Sequence, residues 1–365
     1  MSSLERYDDW LTKDDDAAIV IREVLVPVEG PDGVFFPATY AASEDKTFPG
    51  GYNIDPPTGP KNVCLVDSVG SQANRIEPIF GKPAYAELVP QIVIEAGEKR
   101  VNLLEAGHRA GDAIVRCTPL QRQVRDAFTE VLKGNALPMA KIAPTSLVFG
   151  VWDSRDTQAK LPRLIAATIR AFDVQRLTRS AVYLPAVNYV DQGLVPEELD
   201  AGKGKDNPLA QRGYKHNPAS AAHGGVVAHG GVRRDVTVSL AALRMLSAGD
   251  DMAQTLALRR YILGLALAAL TAPVQTYLRQ GCNLVPDVSQ PRAVTLVCAN
   301  GKREALVLDE AETLAFARLA AKAFKVGDSV SARFDPDLAK KDLTDDAKQA
   351  PKKSAKAGAR KSDAR

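Results

Sequence analysis

Residues 63–78 read VCLVDSVGSQANRIEP, a pattern that predicts a β-strand running directly into a short helix. The apolar run ends before Ser68, a residue type that caps helix N-termini. Val69, Ala73 and Ile76 then recur at helical spacing and would pack inward. The chain therefore passes from strand to helix without a loop, and the rest of the sequence repeats this alternation.

Short apolar runs alternate with helical patterns along the whole chain. The predicted strands are residues 18–26, 63–66, 91–95, 146–152, 181–189, 236–240 and 293–298. The predicted longer helices are residues 118–134, 161–172, 255–269 and 309–324. Because strands and helices interleave, the expected fold class is α/β or α+β.

Two segments interrupt the alternation. Residues 27–62 and residues 191–234 are crowded with proline and glycine, and we predict that both are long loops. Connections of this length inside a domain usually carry function or are disordered.

Composition excludes several classes of protein. With 45% hydrophobic and 25% charged residues among 365, the chain is typical of a globular protein and not of a disordered or collagen-like one. No apolar run is long enough to span a bilayer, and the acidic start, MSSLERYDDWLTKDDD, lacks a signal-like apolar region, so we expect a soluble cytoplasmic protein with no membrane partner. The cysteines at 64, 117, 282 and 298 are widely spaced, which favours reduced buried thiols over disulfides or zinc ligands.

The net charge of +3 is unevenly distributed. Residues 336–365 carry nine cations and five anions, a charge of +4, which leaves −1 on the other 335 residues. A site for a polyanion must therefore be a local patch. The basic end, rich in Lys, Ala and Ser, is typical of a disordered solubilising tail, with a nucleic-acid-binding arm as the alternative.

The helix after residue 67 has a polar face made of Ser68, Ser71, Gln72 and Arg75. Hydroxyls, an amide, an arginine and free backbone N–H groups at a helix N-terminus suit phosphate or sugar oxygens. Nothing on this face is a base or an activated nucleophile, so binding is favoured over catalysis. A capped surface helix without a ligand is the simpler alternative.

A second group of cations is a cluster of arginines within 25 residues. Its members are Arg155, Arg163, Arg170, Arg176 and Arg179. On the predicted helix 161–172, two of them are seven residues apart and would share one face, as expected of side chains that follow a polyanion backbone. Salt bridges to nearby aspartates are the alternative interpretation.

The second predicted loop carries three of the four histidines and several glycines. Lys215, Arg233 and Arg234 supply its positive charge, His216 is a further candidate RNA contact, and the glycines suggest a segment that orders on binding. The histidine spacing matches no zinc motif, so we expect neither a metal nor a cofactor. The chain also lacks the sequence marks of nucleotide hydrolysis, dinucleotide binding, serine hydrolysis and zinc proteolysis, and we predict that it is not an enzyme.

Several stretches together resemble a known family. They are CLVDSVGSQANRIEPIF (64–80), PTSLVFGVWDSR (144–155), PRLIAATIRAFDVQRLTRSAVYLP (162–185), HGGV, LRRYILGLALAAL and YLRQGCNLV. The sequence resembles the Csb-type backbone subunit of type I-U (I-G) CRISPR Cascade, in the Cas-seven family of the RAMP superfamily, over roughly residues 17–300.

The resemblance implies an α+β fold with an RRM-like (ferredoxin-like) palm that carries long inserted finger and thumb elements. On this interpretation residues 1–16 are an acidic N-terminal segment, residues 17–335 are the palm with insertions at about 27–62 and 191–234, and residues 336–365 are the basic tail. Several copies would stack along one CRISPR RNA, and a thumb hairpin of one copy would displace a base of the guide at intervals.

The resemblance also implies the partners: CRISPR RNA, target DNA paired to the guide, further copies of the chain, the large and Cas-five/Cas-six-type Cascade subunits, and a helicase-nuclease effector. The polar helix face at 68–75 is the best match to the family's RNA-contacting helix, whereas the arginine cluster and residues 215–234 are matched less directly. Two other readings stay open at this point. One is a ribonuclease of the same superfamily using His108, His216, His223 or His229 as a base, and the other is a scaffold that binds only proteins.

Overall fold

A computed structural model describes residues 4–56, 59, 61–202, 206–273 and 275–349, with the backbone alone described for residues 181, 217–222 and 345–349. The end of the predicted basic tail, residues 350–365, lies outside the described residues.

The strands are β1 (Asp16–Pro27), β2 (Thr39–Tyr40), β3 (Gly51–Tyr52), β4 (Ile54–Asp55), β5 (Val63–Asp67), β6 (Ile92–Ala96), β7 (Lys99–Asn102), β8 (Val151–Trp152), β9 (Lys160–Leu161), β10 (Ile165–Phe172), β11 (Val174–Tyr183), β12 (Asn217–Ala228), β13 (Val232–Ser239), β14 (Tyr277–Arg279), β15 (Cys282–Pro286), β16 (Ala293–Cys298), β17 (Arg303–Ala305) and β18 (Val330–Arg333). The α-helices are α1 (Asp8–Thr12), α2 (Val69–Ile76), α3 (Ala113–Arg116), α4 (Gln121–Leu132), α5 (Leu137–Ile142), α6 (Thr145–Phe149), α7 (Pro208–Gln211), α8 (Leu240–Arg244), α9 (Met252–Thr271), α10 (Glu310–Phe324) and α11 (Pro336–Gln349). Short 3-10 turns cover Glu77–Gly81, Ala86–Leu88, Leu103–Glu105, Arg109–Gly111 and Glu197–Leu199.

An antiparallel sheet organises the fold, which is a mixed α and β architecture. In the described part of the chain it has nine strands, in the order β14-β15-β1-β13-β10-β5-β4, with β16 also paired to β1 and β17 paired to β16. Strand β1 is central because it pairs with β13, β15 and β16. Its sequence, DAAIVIREVLVP, alternates buried and less buried positions along its length. One face of the sheet therefore packs in the hydrophobic core.

Helices cover one end of that buried face. Helix α9 is apolar on nearly all sides and is buried from Leu258 to Thr271 with few interruptions. It packs closely on α10, since a Cβ added at Gly264 would lie 2.9 Å from the Ala317 Cα. No helix in the described residues combines the length and the apolar character that crossing a membrane requires.

A second hydrophobic cluster covers the other end of the same face. It contains Leu25, Phe35, Tyr52, Ile54, Cys64, Val66, Ile169, Ala171, Val174, Val226, Ala228, Val232, Leu278, Cys282 and Leu284. Polar side chains lie between the two clusters, among them Glu23 and Arg234, which are paired across β1 and β13. This polar belt on the buried face positions the site described below.

A long two-stranded ribbon projects from the connection between β10 and β13. It pairs β11 with β12 from Val174 and Ala228 at its base to Tyr183 and Asn217 at its far end. Residues 184–216 connect the two strands and include α7. Large apolar side chains of this region are exposed, namely Val182, Tyr183, Leu184, Val187, Leu194, Leu199 and Tyr214.

The structure confirms most of the predicted elements and corrects four. The strand predicted at 146–152 is wrong: helix α6 occupies residues 145–149 and the short β8 follows. All five residues of α6 are buried, so the sequence there shows no amphipathic helical period. The helix predicted at 161–172 is wrong, since β10 occupies residues 165–172 and its alternating small alanines obscured the strand period. Strand β11 begins seven residues before the strand predicted at 181–189. The loop predicted at 191–234 ends early, because β12 begins at residue 217 and β13 at 232.

The two chain ends of the described region contact the rest of the fold. In the segment 1–16, Leu11 is fully buried and Arg244 Nε donates to Asp14 Oδ1 at 3.0 Å. Residues 336–349 form α11, and Arg116 Nη2 donates to Asp342 Oδ2 at 3.0 Å.

Candidate functional site

The N-terminus of α2 is built as the sequence predicts. Ser68 has an extended backbone, and its side chain accepts a hydrogen bond from the Ser71 backbone N–H at 3.3 Å. This is the N-cap geometry that satisfies one of the free donors of a helix end. The cap fixes α2 at the end of β5 and directs its polar face toward the belt between the two clusters.

A buried carboxylate, Asp67, organises this polar face. It accepts hydrogen bonds from Ser71 Oγ at 2.9 Å, Gln72 Nε2 at 2.7 Å, Arg75 Nε at 3.1 Å and Arg279 Nη2 at 2.6 Å. Asp67 is 0% exposed, so these four donors take the place of water.

A β-bulge directs the Asp67 side chain inward. In the pairing of β5 with β10, Asp67 lies opposite Ile169 and Leu65 lies opposite Arg170, so one additional residue is present in β5. Without this irregularity the alternation of a strand would turn the residue after buried Val66 toward the other face. The bulge therefore places the carboxylate on the face where α2 lies.

The role of Asp67 is to hold two guanidinium groups. The side chains of Arg75 and Arg279 are 23% and 25% exposed, and each gives part of its donor set to Asp67. Since an arginine has five N–H donors, each keeps donors for a ligand. The sequence did not reveal this arrangement: Asp67 precedes the cap directly but reads as a strand end, and Arg279 is 212 residues away.

A cleft opens beside this network. The α2–α9 cleft has a volume of about 500 Å³ and lies between α2 and the C-terminal end of α9, over strands β10 and β13. Its lining residues are Gln72, Asn74, Arg75, Ile76, Pro78, Ile79, Lys82, Ile169, Arg234, Val236, Ala269, Leu270, Ala272, Pro273 and Gln275. Three predicted site residues, Gln72, Arg75 and Arg234, thus meet at one concave surface.

Arg234 lies in the sheet beneath this cleft. It is 5% exposed and its Nε lies 3.2 Å from Glu23 Oε2. Burial lowers the pKa of Arg234, and the Glu23 carboxylate offsets part of that effect. Neither Arg234 Nε nor Glu23 Oε2 has a hydrogen-bond partner within the described residues, so the contact is an ion pair with poor hydrogen-bond geometry.

Arg163 also approaches α2, although it does not lie on a helix as predicted. It is exposed in the turn before β10, and a Cβ placed on Gly70 would be 3.9 Å from its Nη2. The guanidinium therefore lies beside the first turn of α2, where it adds positive charge near the Ser68 cap.

Arg170 and Arg233 lie on the opposite, half-exposed face of the sheet, where their strands pair them directly. Arg233 Nε contacts both Asp235 carboxylate oxygens at 2.9 Å, and its guanidinium stacks over Phe172 at 4.8 Å. Consecutive residues of a strand face opposite sides, which separates Arg233 from Arg234. The structure does not bring these two arginines together with α2.

The remaining predicted residues are spread over other surfaces. Arg176 and Arg179 are exposed on β11 of the ribbon. At its far end Lys215 Nζ lies 2.7 Å from Asp200 Oδ1, and His216 is exposed. Arg155 lines a separate polar cleft next to α4 and α11. A single predicted cluster of arginines therefore becomes at least four separate surfaces.

A second buried ion pair supports α2 from below. Arg109 Nε lies 2.6 Å from Glu77 Oε2, and Arg109 Nη2 donates to Asn74 Oδ1 at 3.1 Å. Burial raises the pKa of Glu77 to about 7, although Arg109 and a hydrogen bond from Thr145 oppose the shift. This network fixes the C-terminal turn of α2, from which Arg75 projects.

The histidines lie apart. His223 packs against Tyr52 with ring centroids 4.8 Å apart, His229 Nε2 is 3.2 Å from Gln175 Oε1, and His108 lies beside Asp112. Within the described residues, no group of three or more His, Cys, Asp or Glu side chains could hold a metal ion.

Part of the chain matches a family of known proteins. Residues 19–176 match the family model described as CRISPR-associated protein GSU0053 (Cas_GSU0053). The match runs from β1 into β11 and so contains Asp67, α2 and Arg163. No curated protein matches the chain. Over residues 19–176 the chain is therefore similar to the Cas_GSU0053 family of CRISPR-associated proteins.

Proposed function

We propose that this chain is a non-catalytic CRISPR RNA-binding backbone subunit of a type I-U/I-G Cascade complex in the cytoplasm, with several copies coating the spacer of one guide. The observation that carries the proposal is the network in which Asp67 holds Arg75 and Arg279 beside the capped N-terminus of α2. The family match supports the association with CRISPR systems.

The chemistry of the site favours sugar–phosphate contacts. A subunit that holds any spacer must contact phosphate and ribose and leave the base edges free to pair with target DNA. Hydroxyls, amides and guanidinium groups meet this demand, because arginine binds phosphate through paired N–H donors. Ser71 and Arg75 are these groups, held in one orientation by a shared carboxylate, and the buried Gln72 braces the same carboxylate from within.

The strand order supports an RRM-like palm. The succession β1, a set of helices, β10, β13, α9 and β16 follows the β-α-β-β-α-β order of ferredoxin-like domains, and these four strands are neighbours in the sheet. The ribbon of β11 and β12 is inserted between the second and third of them, and it is our candidate for the thumb. Its exposed apolar side chains would meet the adjacent copy or a displaced base of the guide.

Stacking along one RNA also explains the modest charge of the chain. Each copy needs only a few phosphate contacts, because tethering to the same guide makes the contacts of successive copies additive. The other Cascade subunits and the helicase-nuclease effector would then assemble on the guide-bound filament.

The proposal is tested by co-expressing the chain with a CRISPR array and the other Cascade subunits, and then extracting nucleic acid from the purified assembly. Guide RNA that copurifies in proportion to several copies of the chain supports the proposal. If assemblies purified without the chain hold the guide as well as assemblies that contain it, the proposal is contradicted.

A further inference from the structure

We propose that the α2–α9 cleft is a binding site for one nucleotide, with a phosphate at its mouth and a base against its apolar wall. The inference rests on the proposed function, because it assigns a ligand class to part of the same surface. It extends that function by predicting a separable site for a mononucleotide.

The charge around the cleft favours an anion. Arg75, Lys82 and Arg234 line it, Arg292 lies close enough to act on Arg234 electrostatically, and Arg279 shares the Asp67 carboxylate with Arg75. The carboxylates paired with these five cations are Asp67 and Glu23, so the positive charges exceed the negative charges by three. Among the described lining residues none is Asp or Glu, so a phosphate would meet cations and amides only.

The buried Arg234 gives the cleft a specific feature. A guanidinium that is 5% exposed normally has its donors paired, yet its Nε has no hydrogen-bond partner among the described residues. This Nε faces Glu23 Oε2 at 3.2 Å, and the side chain of Arg234 lines the cleft from beneath. An anion bound above the sheet would reduce the cost of burying this cation.

The walls of the cleft suit a base. Ile169, Val236 and Leu270 give it an apolar side, and Asn74 and Gln275 add amides. Apolar side chains pack against base faces, and amides hydrogen-bond base edges of several kinds. The volume of about 500 Å³ lies in the range of ordinary small-ligand sites. A nucleoside monophosphate has both the charge and the apolar face that this surface accepts.

The experiment titrates RNA-free full-length protein with AMP, UMP, adenosine and inorganic phosphate by calorimetry. We expect saturable binding of both nucleotides, with weaker binding of adenosine and of phosphate alone. Lys82→Glu should weaken AMP binding about tenfold or more, since it reverses a charge at the mouth of the cleft. Lys99→Glu, an equal change at an exposed lysine on β7, should leave AMP binding unchanged.

A second variant keeps the site testable if Lys82→Glu does not fold. Glu23→Leu/Arg234→Met replaces both members of the buried pair by apolar side chains of similar size, an exchange that often preserves stability. If this variant folds, judged by circular dichroism, it should also bind AMP about tenfold more weakly. AMP binding that is absent, or that survives Lys82→Glu unchanged, overturns the nucleotide site.

Two further measurements show where a bound nucleotide comes from and whether the proposed function itself fails. Loss of AMP binding in guide-loaded assemblies identifies the ligand as a nucleotide of the guide, whereas retained binding identifies a site for free nucleotide. Filter binding of a spacer-length RNA to the same variants is the other arm. Failure of AMP binding with normal RNA binding overturns only the cleft, while failure of RNA binding by the wild type overturns the proposed function.

Discussion

The substitution Asp67→Asn is the most direct test of the hydrogen-bond network around Asp67. The carboxylate is fully buried and accepts four hydrogen bonds, two of them from arginines. Asparagine has nearly the same shape but only one acceptor oxygen, so its amide group would face donors. Removing one partner of a buried ion pair costs about 3–5 kcal/mol. Because both arginines are about a quarter exposed and regain some hydration, we expect a loss of about 3 kcal/mol in the free energy of unfolding.

Urea unfolding followed by circular dichroism measures this loss. The matched control is Asp235→Asn, the same chemical change at a carboxylate that pairs with Arg233 on the half-exposed face of the sheet. We expect the control to lose less than about 1 kcal/mol. Equal losses in the two variants would refute the claim that Asp67 is the organising residue.

RNA binding by the Asp67→Asn variant shows whether Asp67 acts by positioning the two arginines or only through its negative charge. The substitution removes a negative charge from the proposed RNA surface, so an argument from charge alone predicts tighter binding. If Asp67 positions Arg75 and Arg279, binding weakens instead, by about tenfold. The slope of affinity against salt should stay the same, because no cation is lost. Tighter binding by this variant would contradict the positioning role.

Three further predictions concern other parts of the fold. Burial raises the pKa of Glu77 to about 7 from 4.5, so this group favours the folded state below pH 4.5 and the contribution is lost as the pH rises through about 7. Relative to Glu77→Gln, the wild type should lose up to about 3 kcal/mol of unfolding free energy over that range, and a difference independent of pH would contradict it. Gly264→Ala should lower the melting temperature although alanine is the better helix former, because the new Cβ would lie 2.9 Å from the Ala317 Cα; a higher melting temperature would show that α9 and α10 separate easily. Arg75→Ala should lower the salt slope of RNA binding by about 0.7 equally for different spacer sequences, whereas Arg122→Ala on α4 should leave it unchanged; a loss that depends on spacer sequence would argue against a phosphate contact.

The sequence predicted local features of the fold well. Ser68 caps α2 as expected, because a cap is decided by residues within one turn, and Asp309 caps α10 in the same way. The helix predicted over β10 is wrong, because Ile165, Ala167, Ile169 and Ala171 alternate with residues that are small, buried or half-buried and so leave no clear strand period. In such a strand the pairing with β13 and β5 decides the structure, and a single sequence does not contain that information.

The candidate site was predictable only in part. The polar face of α2 follows from helical spacing, but its orientation depends on Asp67, whose inward direction comes from a bulge in the β5–β10 pairing. Arg279 reaches this carboxylate from a strand 212 residues later. Conversely, Arg233 and Arg234 look like one basic pair in the sequence, and the alternation of β13 places them on opposite faces.

The central claim is that copies of this chain hold a guide RNA by its sugar–phosphate backbone. Nuclease footprinting of guide RNA in the assembly purified with the other Cascade subunits tests this claim most directly. We expect protection of the spacer at a regular interval, whatever the spacer sequence, and loss of that pattern in the Arg75→Ala variant. A spacer that is cleaved freely while the chain is present in the assembly would contradict it.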